Sequence, residues 1–241
     1  MPPVAQTGPV EPSPAPVTVP SDAPRYAVDP QASEIRLLVY RDGPLARFGH
    51  NHVIVGPVYG EIRGGESAAA RSFRLEIAVQ SLIVEPQAAR AEEGEEFAAQ
   101  VSDAARRGTR DNMLGPDVLD AERHPLIRIE SVSLVGPPWG PTVTARVVLR
   151  GAARDLRFPA SVVRQGDALV VIAGFAISQT AFGIKPYSAL NGGLRVRDAL
   201  DVRVRVVARR AAEHSGLAPR PGLEPGPCGL RDPSERGRRL G

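Results

Sequence analysis

Hydrophobic and polar residues alternate along much of the chain between residues 25 and 210. In the segment SFRLEIAVQS, residues 72–81, apolar side chains recur at every second position, and Arg74 and Glu76 lie between them. Because successive side chains of a strand point to opposite faces, this pattern predicts a strand with one buried face. Similar patterns predict seven more strands, at residues 34–40, 52–63, 126–135, 142–151, 156–164, 168–178 and 201–210.

Two segments have helical periodicity instead. In residues 88–108, Phe97 and other apolar residues share one predicted helical face, with glutamates before them and arginines at the end. This order of charges complements the helix macrodipole and so favours a helix. A second, short helix is predicted at residues 115–122, where Pro116 suits a helix start and Pro125 a stop.

The strands are separated by segments typical of tight turns, such as GPPWGP at residues 136–141 and RQGDA at residues 164–168. Short turns favour antiparallel neighbours, and closing the sheet on itself removes exposed edges. We therefore predict a mainly β fold, an antiparallel eight-stranded barrel with one or two short helices, with a strongly curved sandwich as the alternative. Such a barrel can enclose one small ligand, although the pattern is equally compatible with a fully packed core.

The two ends of the chain differ from this central region. Residues 1–24 contain eight prolines and no aromatic residue, and residues 211–241 are rich in Arg, Pro and Gly without apolar periodicity. Segments of this composition cannot bury a core. We expect a disordered leader at residues 1–24, one barrel domain at residues 25–210 and a disordered tail at residues 211–241.

Composition excludes several classes of protein. The only cysteine, Cys228, lies in the tail, so no intrachain disulfide can form. No apolar stretch approaches the roughly 20 residues of a membrane helix, and no signal peptide is visible. The net charge is +3, with Lys185 the only lysine and the arginines scattered among acidic residues. Nucleic acid binding, which needs clustered cations, is therefore not expected.

Two of the four histidines stand close together in the segment RFGHNHVIVG, residues 47–56. On a strand His50 and His52 point to the same face. Two neutral imidazoles can share a zinc, nickel or copper ion if an Asp, a Glu or a third His joins them. The alternatives are hydrogen bonds to loop carbonyls at the barrel mouth, or proton transfer together with Asp111. No recognised catalytic motif is present, so we do not predict an enzyme.

Five segments of the chain resemble the YceI-like family of bacterial lipid- and polyisoprenoid-binding proteins, which have a lipocalin-like barrel. The segments are YAVDPQASEIRLLVY, GHNHVIVGPVYGEI, RDNMLGPDVLDAERHPLIRIES, VVLRGAARDLRFPASV and FAISQTAFGI. They occur in the family's order over residues 26–208. The chain departs from the family pattern at Arg146, where a glycine is frequent, and at Gln179, where an arginine is usual.

The resemblance implies a protein that binds a polyisoprenoid or another long-chain lipid, as a carrier or a sequestering protein. Its ligand would lie in an apolar pocket between the barrel and the helix predicted at residues 88–107. It also implies a periplasmic or secreted location and no firm cofactor beyond a bound isoprenoid quinone or polyprenyl lipid. A homodimer and transient membrane contact stay open. The alternative is a metal- or haem-linked redox or enzymatic protein that uses His50 and His52.

The inward residues of the predicted strands supply a candidate apolar wall for such a ligand. They are Phe73, Leu75, Ile77, Val79, Ile127, Ile129, Val147, Leu149, Phe158, Phe175 and Ile177. For each of these residues, packing in the core is the alternative role.

Overall fold

The computed structural model describes residues 6–7, 23–65 and 70–211, and within these ranges the chain is mainly β. The strands are β1 Gln6–Thr7, β2 Arg25–Val28, β3 Glu34–Val39, β4 Arg41–Asp42, β5 His52–Pro57, β6 Tyr59–Arg63, β7 Ser72–Ala78, β8 Ile83–Val84, β9 Leu126–Val135, β10 Thr142–Leu149, β11 Ala152–Gln165, β12 Ala168–Ser178, β13 Ser188–Ala189, β14 Leu194–Val196 and β15 Ala199–Arg210. The two helices of the described residues are α1 Gln87–Ala91 and α2 Asp103–Leu114. Neither is long and apolar enough to cross a membrane.

Eight strands close into a ring of antiparallel pairs. The order around the ring is β2, β6, β7, β9, β10, β11, β12 and β15, and β15 pairs with β2 to complete it. Each strand of the ring has a hydrogen-bonded neighbour on both sides over at least part of its length, so none of the eight is an edge strand. The prediction of an antiparallel eight-stranded barrel is confirmed.

One edge of β15 pairs with two strands in succession. Residues 208–210 pair with β2, and residues 201–205 pair with β3. The segment between β2 and β3 turns away from β15, and the backbone of Val207 is hydrogen-bonded there by residues of that segment. Its amide donates to the hydroxyl of buried Ser33 at 2.9 Å, and its carbonyl accepts from the amide of Asp29 at 2.8 Å. The aspartate and serine of the opening segment therefore satisfy the barrel backbone where pairing is interrupted.

The strand predicted at residues 52–63 is divided at Val58 into β5 and β6. The strand β6 pairs with β7, whereas β5 pairs with β3 on one side and with the short β8 on the other. The wall therefore separates from β7 along β5. The segment from β8 to α2 covers this part of the barrel.

The predicted alternation is present in the inner face. In β10, Val143, Ala145, Val147 and Leu149 are all buried, and the residues between them are partly exposed. A second, smaller cluster joins β3 and β5 to the segment that contains α1, and consists of Leu38, Val53, Val55, Ala89 and Phe97.

The continuous helix predicted at residues 88–108 is wrong. The chain forms α1, then a 3-10 turn at Glu95–Phe97, and begins α2 only at Asp103. Gly94 has a φ of 79°, which no helix accommodates, and Phe97 packs edge-on against Tyr40. Ser102 then caps α2 by accepting a hydrogen bond from the amide of Ala105.

The short helix predicted at residues 115–122 is also wrong. The segment is a series of turns in which Leu119 and Asp120 are buried. Asp120 has a φ of 51°, in the left-handed region, so the helix cannot continue through it. Residues 1–5, 8–22 and 212–241 lie outside the described residues, so the predicted leader and tail stay predictions there. Gln6–Thr7 pair with residues 156–157 of β11.

Gly60 lies opposite Leu75, where β6 closely approaches β7. Replacing Gly60 with a larger residue tests this close approach. Its φ is 135°, and a Cβ there would lie 2.1 Å from the carbonyl oxygen of Arg74. We expect Gly60→Ala to lower the free energy of unfolding by more than about 1 kcal/mol, because both the conformation and the space exclude a side chain. Urea denaturation measures this change.

The matched control is Gly174→Ala in β12, where a Cβ would meet only the carbonyl oxygen of Val202, at 4.0 Å. Its effect should stay within about 0.5 kcal/mol. Equal losses in the two variants would contradict the close approach of β6 and β7.

Candidate functional site

A cavity of about 490 Å³ lies inside the barrel. Aliphatic and aromatic side chains from β3, β5, β7, β9, β10, β12 and β15 form most of its wall. Its volume falls within the roughly 300–1,000 Å³ that ligand pockets occupy. A cavity with this lining suits an apolar ligand.

The cavity occupies only part of the barrel interior. Seven of the eleven predicted wall residues line it: Ile77, Ile127, Ile129, Val147, Leu149, Phe175 and Ile177. The other four, Phe73, Leu75, Val79 and Phe158, are part of the packed core and are not in this lining. Ile77 and Ile127, which are cross-strand partners on β7 and β9, both line the cavity. That any of the eleven contacts a ligand stays a prediction.

The helix α2 closes one side of the cavity. Ala105, Gly108, Thr109, Asn112 and Met113 line it, at the spacing of a single helical face. A Cβ at Gly108 would meet no atom within 4 Å. The small residues on this face leave the interior open, and the covering helix lies at Asp103–Leu114 rather than at the predicted residues 88–107.

Polar side chains gather at one part of the cavity lining, which we call the polar patch. Its members are Arg41, His50, His52, Gln179, Tyr187 and Arg195. Pairing of β14 with β4 brings Arg195 beside the Arg41–Asp42 strand. Buried Gln179 donates a hydrogen bond to the carbonyl of Arg197 at 2.8 Å. A ligand with one polar end can place that end here and its apolar part elsewhere in the cavity.

His50 and His52 meet at the start of β5, as the alternation predicts. Their ring centroids are 4.6 Å apart. Both approach the same carboxylate oxygen: Oε1 of Glu85 lies 2.7 Å from Nδ1 of His52 and 3.4 Å from Nε2 of His50. Asp111, which the sequence offers as a partner for proton transfer, is exposed on α2 and is not part of this cluster.

Glu85 is fully buried, and its other carboxylate oxygen is held by the protein. Oε2 accepts a hydrogen bond from the amide of Val53 at 3.1 Å and forms an ion pair with Arg90. Burial acts to raise the pKa of Glu85, but the nearby imidazoles of His50 and His52 and the hydrogen bond from the Val53 amide outweigh it and hold the pKa below its usual range. Glu85 is therefore an anion in a fixed position.

Arg90 fixes the chain around this carboxylate. Its guanidinium donates to the carbonyls of Asn51 at 2.8 Å, Phe97 at 2.6 Å and Ala99 at 3.0 Å. These bonds join the segment after β8 to the start of β5. Sequence reasoning missed Glu85, because glutamate is seldom fully buried and nothing in the neighbouring sequence marks this one as an exception.

Comparisons with known proteins agree with this architecture. The model of the YceI-like domain matches residues 26–208. The crystal structure of Burkholderia cenocepacia BcnA superposes with a TM-score of 0.52 at 15% identity, over 75% of this chain and 98% of that chain. A polyisoprenoid binding domain from Saccharophagus degradans, implicated in plant cell wall breakdown, gives 0.53 at 11% identity, over 77% and 98%. No curated protein matches the sequence.

The buried ion pair can be tested by removing one charge. We expect Glu85→Gln to lower the free energy of unfolding by about 3–5 kcal/mol, because it leaves Arg90 buried without its counterion. The matched control is Glu61→Gln, which breaks the more exposed Arg25–Glu61 pair and should cost less than about 1 kcal/mol. Urea denaturation measures both losses. Similar losses of unfolding free energy in the two variants would contradict the expectation that the buried pair costs more to break than the exposed one.

The lowered pKa of Glu85 also predicts a pH dependence. A carboxylate whose pKa is lowered by folding stabilises the protein above its ordinary pKa of about 4.3, and this stability is lost as pH falls below that value. The stability difference between the wild type and Glu85→Gln should therefore narrow between about pH 5 and pH 3. Urea denaturation across this range measures it, and a difference that does not change with pH would contradict the assignment.

Proposed function

The chain belongs to the YceI-like family, and on this basis we propose that its barrel binds a polyisoprenoid or another long-chain lipid. The observation that carries the proposal is the cavity of about 490 Å³, walled mainly by aliphatic side chains and covered by α2. A long hydrocarbon chain needs a continuous apolar wall and few polar contacts. The protein would act as a carrier or a sequestering protein, and binding rather than catalysis is its function.

The energetics favour a ligand with a long chain. Each buried methylene contributes about 0.8 kcal/mol, so affinity grows with the length of chain that the cavity accepts. The apolar lining contains Ile127, Ile129 and Phe175, none of which distinguishes one hydrocarbon from another. Selectivity for the ligand therefore depends on the polar patch, where a quinone ring or another head group would lie.

The relative from Saccharophagus degradans, a polyisoprenoid binding domain, supports this choice of ligand class. An isoprenoid quinone or a polyprenyl lipid combines an apolar chain with a compact polar end. We also propose, from the family resemblance, that the protein works in the periplasm or outside the cell.

Extraction of the purified full chain with organic solvent, followed by mass spectrometry, tests the proposal directly. We expect one polyprenyl or other long-chain lipid to be released in near-stoichiometric amount. A clean extract, together with no uptake of a polyprenyl quinone by the delipidated protein, would overturn the proposal.

Gly108 allows the position of the ligand to be tested with matched variants. Leucine and alanine both favour a helix over glycine, but only leucine extends well into the open cavity. If leucine displaces roughly two methylenes of ligand, we expect Gly108→Leu to weaken binding about tenfold, from a loss of about 1.6 kcal/mol. Gly108→Ala should bind lipid nearly as the wild type does. Equal retention of lipid by the two variants would contradict binding of the lipid beside Gly108.

A further inference from the structure

We propose that His50, His52 and Glu85 form a binding site for one divalent cation of the zinc type beside the lipid cavity. The three residues offer two imidazole nitrogens and one carboxylate oxygen, and these atoms all lie within 4.8 Å of one another. Two histidines and one carboxylate are a ligand set of zinc sites that keep a fourth position open. The three residues could bind a cation whether or not a lipid occupies the cavity.

The distances fit a small cation after a minor adjustment. Bonds of about 2.0–2.1 Å in a tetrahedral site place neighbouring ligand atoms roughly 3.3 Å apart. Nε2 of His50 and Oε1 of Glu85 are already 3.4 Å apart. Nδ1 of His52 lies 2.7 Å from the same oxygen, so this pair must open by roughly 0.6 Å when a cation replaces the shared proton.

The hydrogen bonding of the cluster also favours a cation. Nε2 of His50 is buried, and although it lies 3.4 Å from Oε1 of Glu85, it forms no hydrogen bond among the described residues. A buried polar atom without a partner costs about 1–3 kcal/mol, and coordination would remove this cost. The alternative is that the three residues form only a hydrogen-bonded network without an ion. That network would leave Nε2 of His50 without a hydrogen bond.

The surrounding residues hold the carboxylate as a metal ligand requires. Arg90 and the Val53 amide bind Oε2, so Oε1 is the oxygen left to face the imidazoles. Groups that orient a ligand in this way usually increase metal affinity. His50 and His52 keep 25% and 18% of their side chains exposed, which gives an ion access to the site.

The charge of the site indicates what the fourth ligand would be. Arg90 already balances the charge of Glu85, so a divalent cation would add uncompensated positive charge next to the polar patch. A hydroxide or an anionic head group in the fourth position would neutralise part of it. Through this position, the cation would select lipids with an acidic or strongly coordinating head.

Titration of the metal-free, untagged full chain with Zn²⁺ by calorimetry, and with Co²⁺ by visible absorption, tests the proposal. We expect one ion per chain and a Co²⁺ spectrum typical of a four-coordinate site. His50→Ala and His52→Ala should each weaken Zn²⁺ binding more than about 100-fold while the circular dichroism spectrum stays unchanged.

Three controls separate this cluster from the other soft ligands of the chain. His124→Ala, His214→Ala and Cys228→Ser should each bind Zn²⁺ as the wild type does. Zn²⁺ should also raise the Tm of the wild type but not of the His50→Ala, His52→Ala double variant. The proposal fails if the full chain does not bind Zn²⁺ saturably, or if binding survives in the folded double variant.

Discussion

Closure of the hydrogen-bonded ring is the constraint on which the rest of the structure depends. The strand β12 bonds to β11 along one edge and to β15 along the other, and β15 returns to β2. With no intrachain disulfide available, this ring and the apolar face inside it hold the domain together. Ser33 and Asp29 belong to the same constraint, because they satisfy Val207 where β15 changes partner. Because the hydrogen bonds of the ring hold the strands in place, the barrel can contain a cavity.

The sequence predicts the wall of the barrel better than it predicts the interior. Alternation identifies which residues face inward, because the period of a strand is two, and it finds seven of the eight ring strands. It misses β2, which has only four residues, and the strand predicted at residues 34–40 is β3, which lies outside the ring. It does not identify how deep a residue lies along the barrel. Leu75 and Ile77 occupy equivalent positions in the pattern, yet only Ile77 lines the cavity. What leaves the space open is a feature of another element, the small residues of α2 around Gly108.

The failure of the helix prediction and the missed glutamate have one physical cause. In a continuous helix over residues 88–108, the carbonyls of Phe97 and Ala99 would accept amides four residues later. Instead both accept hydrogen bonds from Arg90, which is buried beside Glu85. A buried arginine needs these partners more than the segment needs helical bonds. The charge order of the segment indicates a helix, but the burial of Arg90 beside Glu85, which interrupts the helix, has no local signature.

The position of this ion pair explains why a costly interaction occurs in a protein with an apolar interior. A buried ion pair contributes little net stability compared with well-packed apolar residues, because its desolvation offsets the attraction. Here the pair fixes Oε1 of Glu85 against His50 and His52, next to the cavity. An apolar pair of the same volume could join the segment after β8 to β5, but it could not hold two imidazoles toward a ligand. The ion pair therefore serves to orient polar groups beside an apolar cavity.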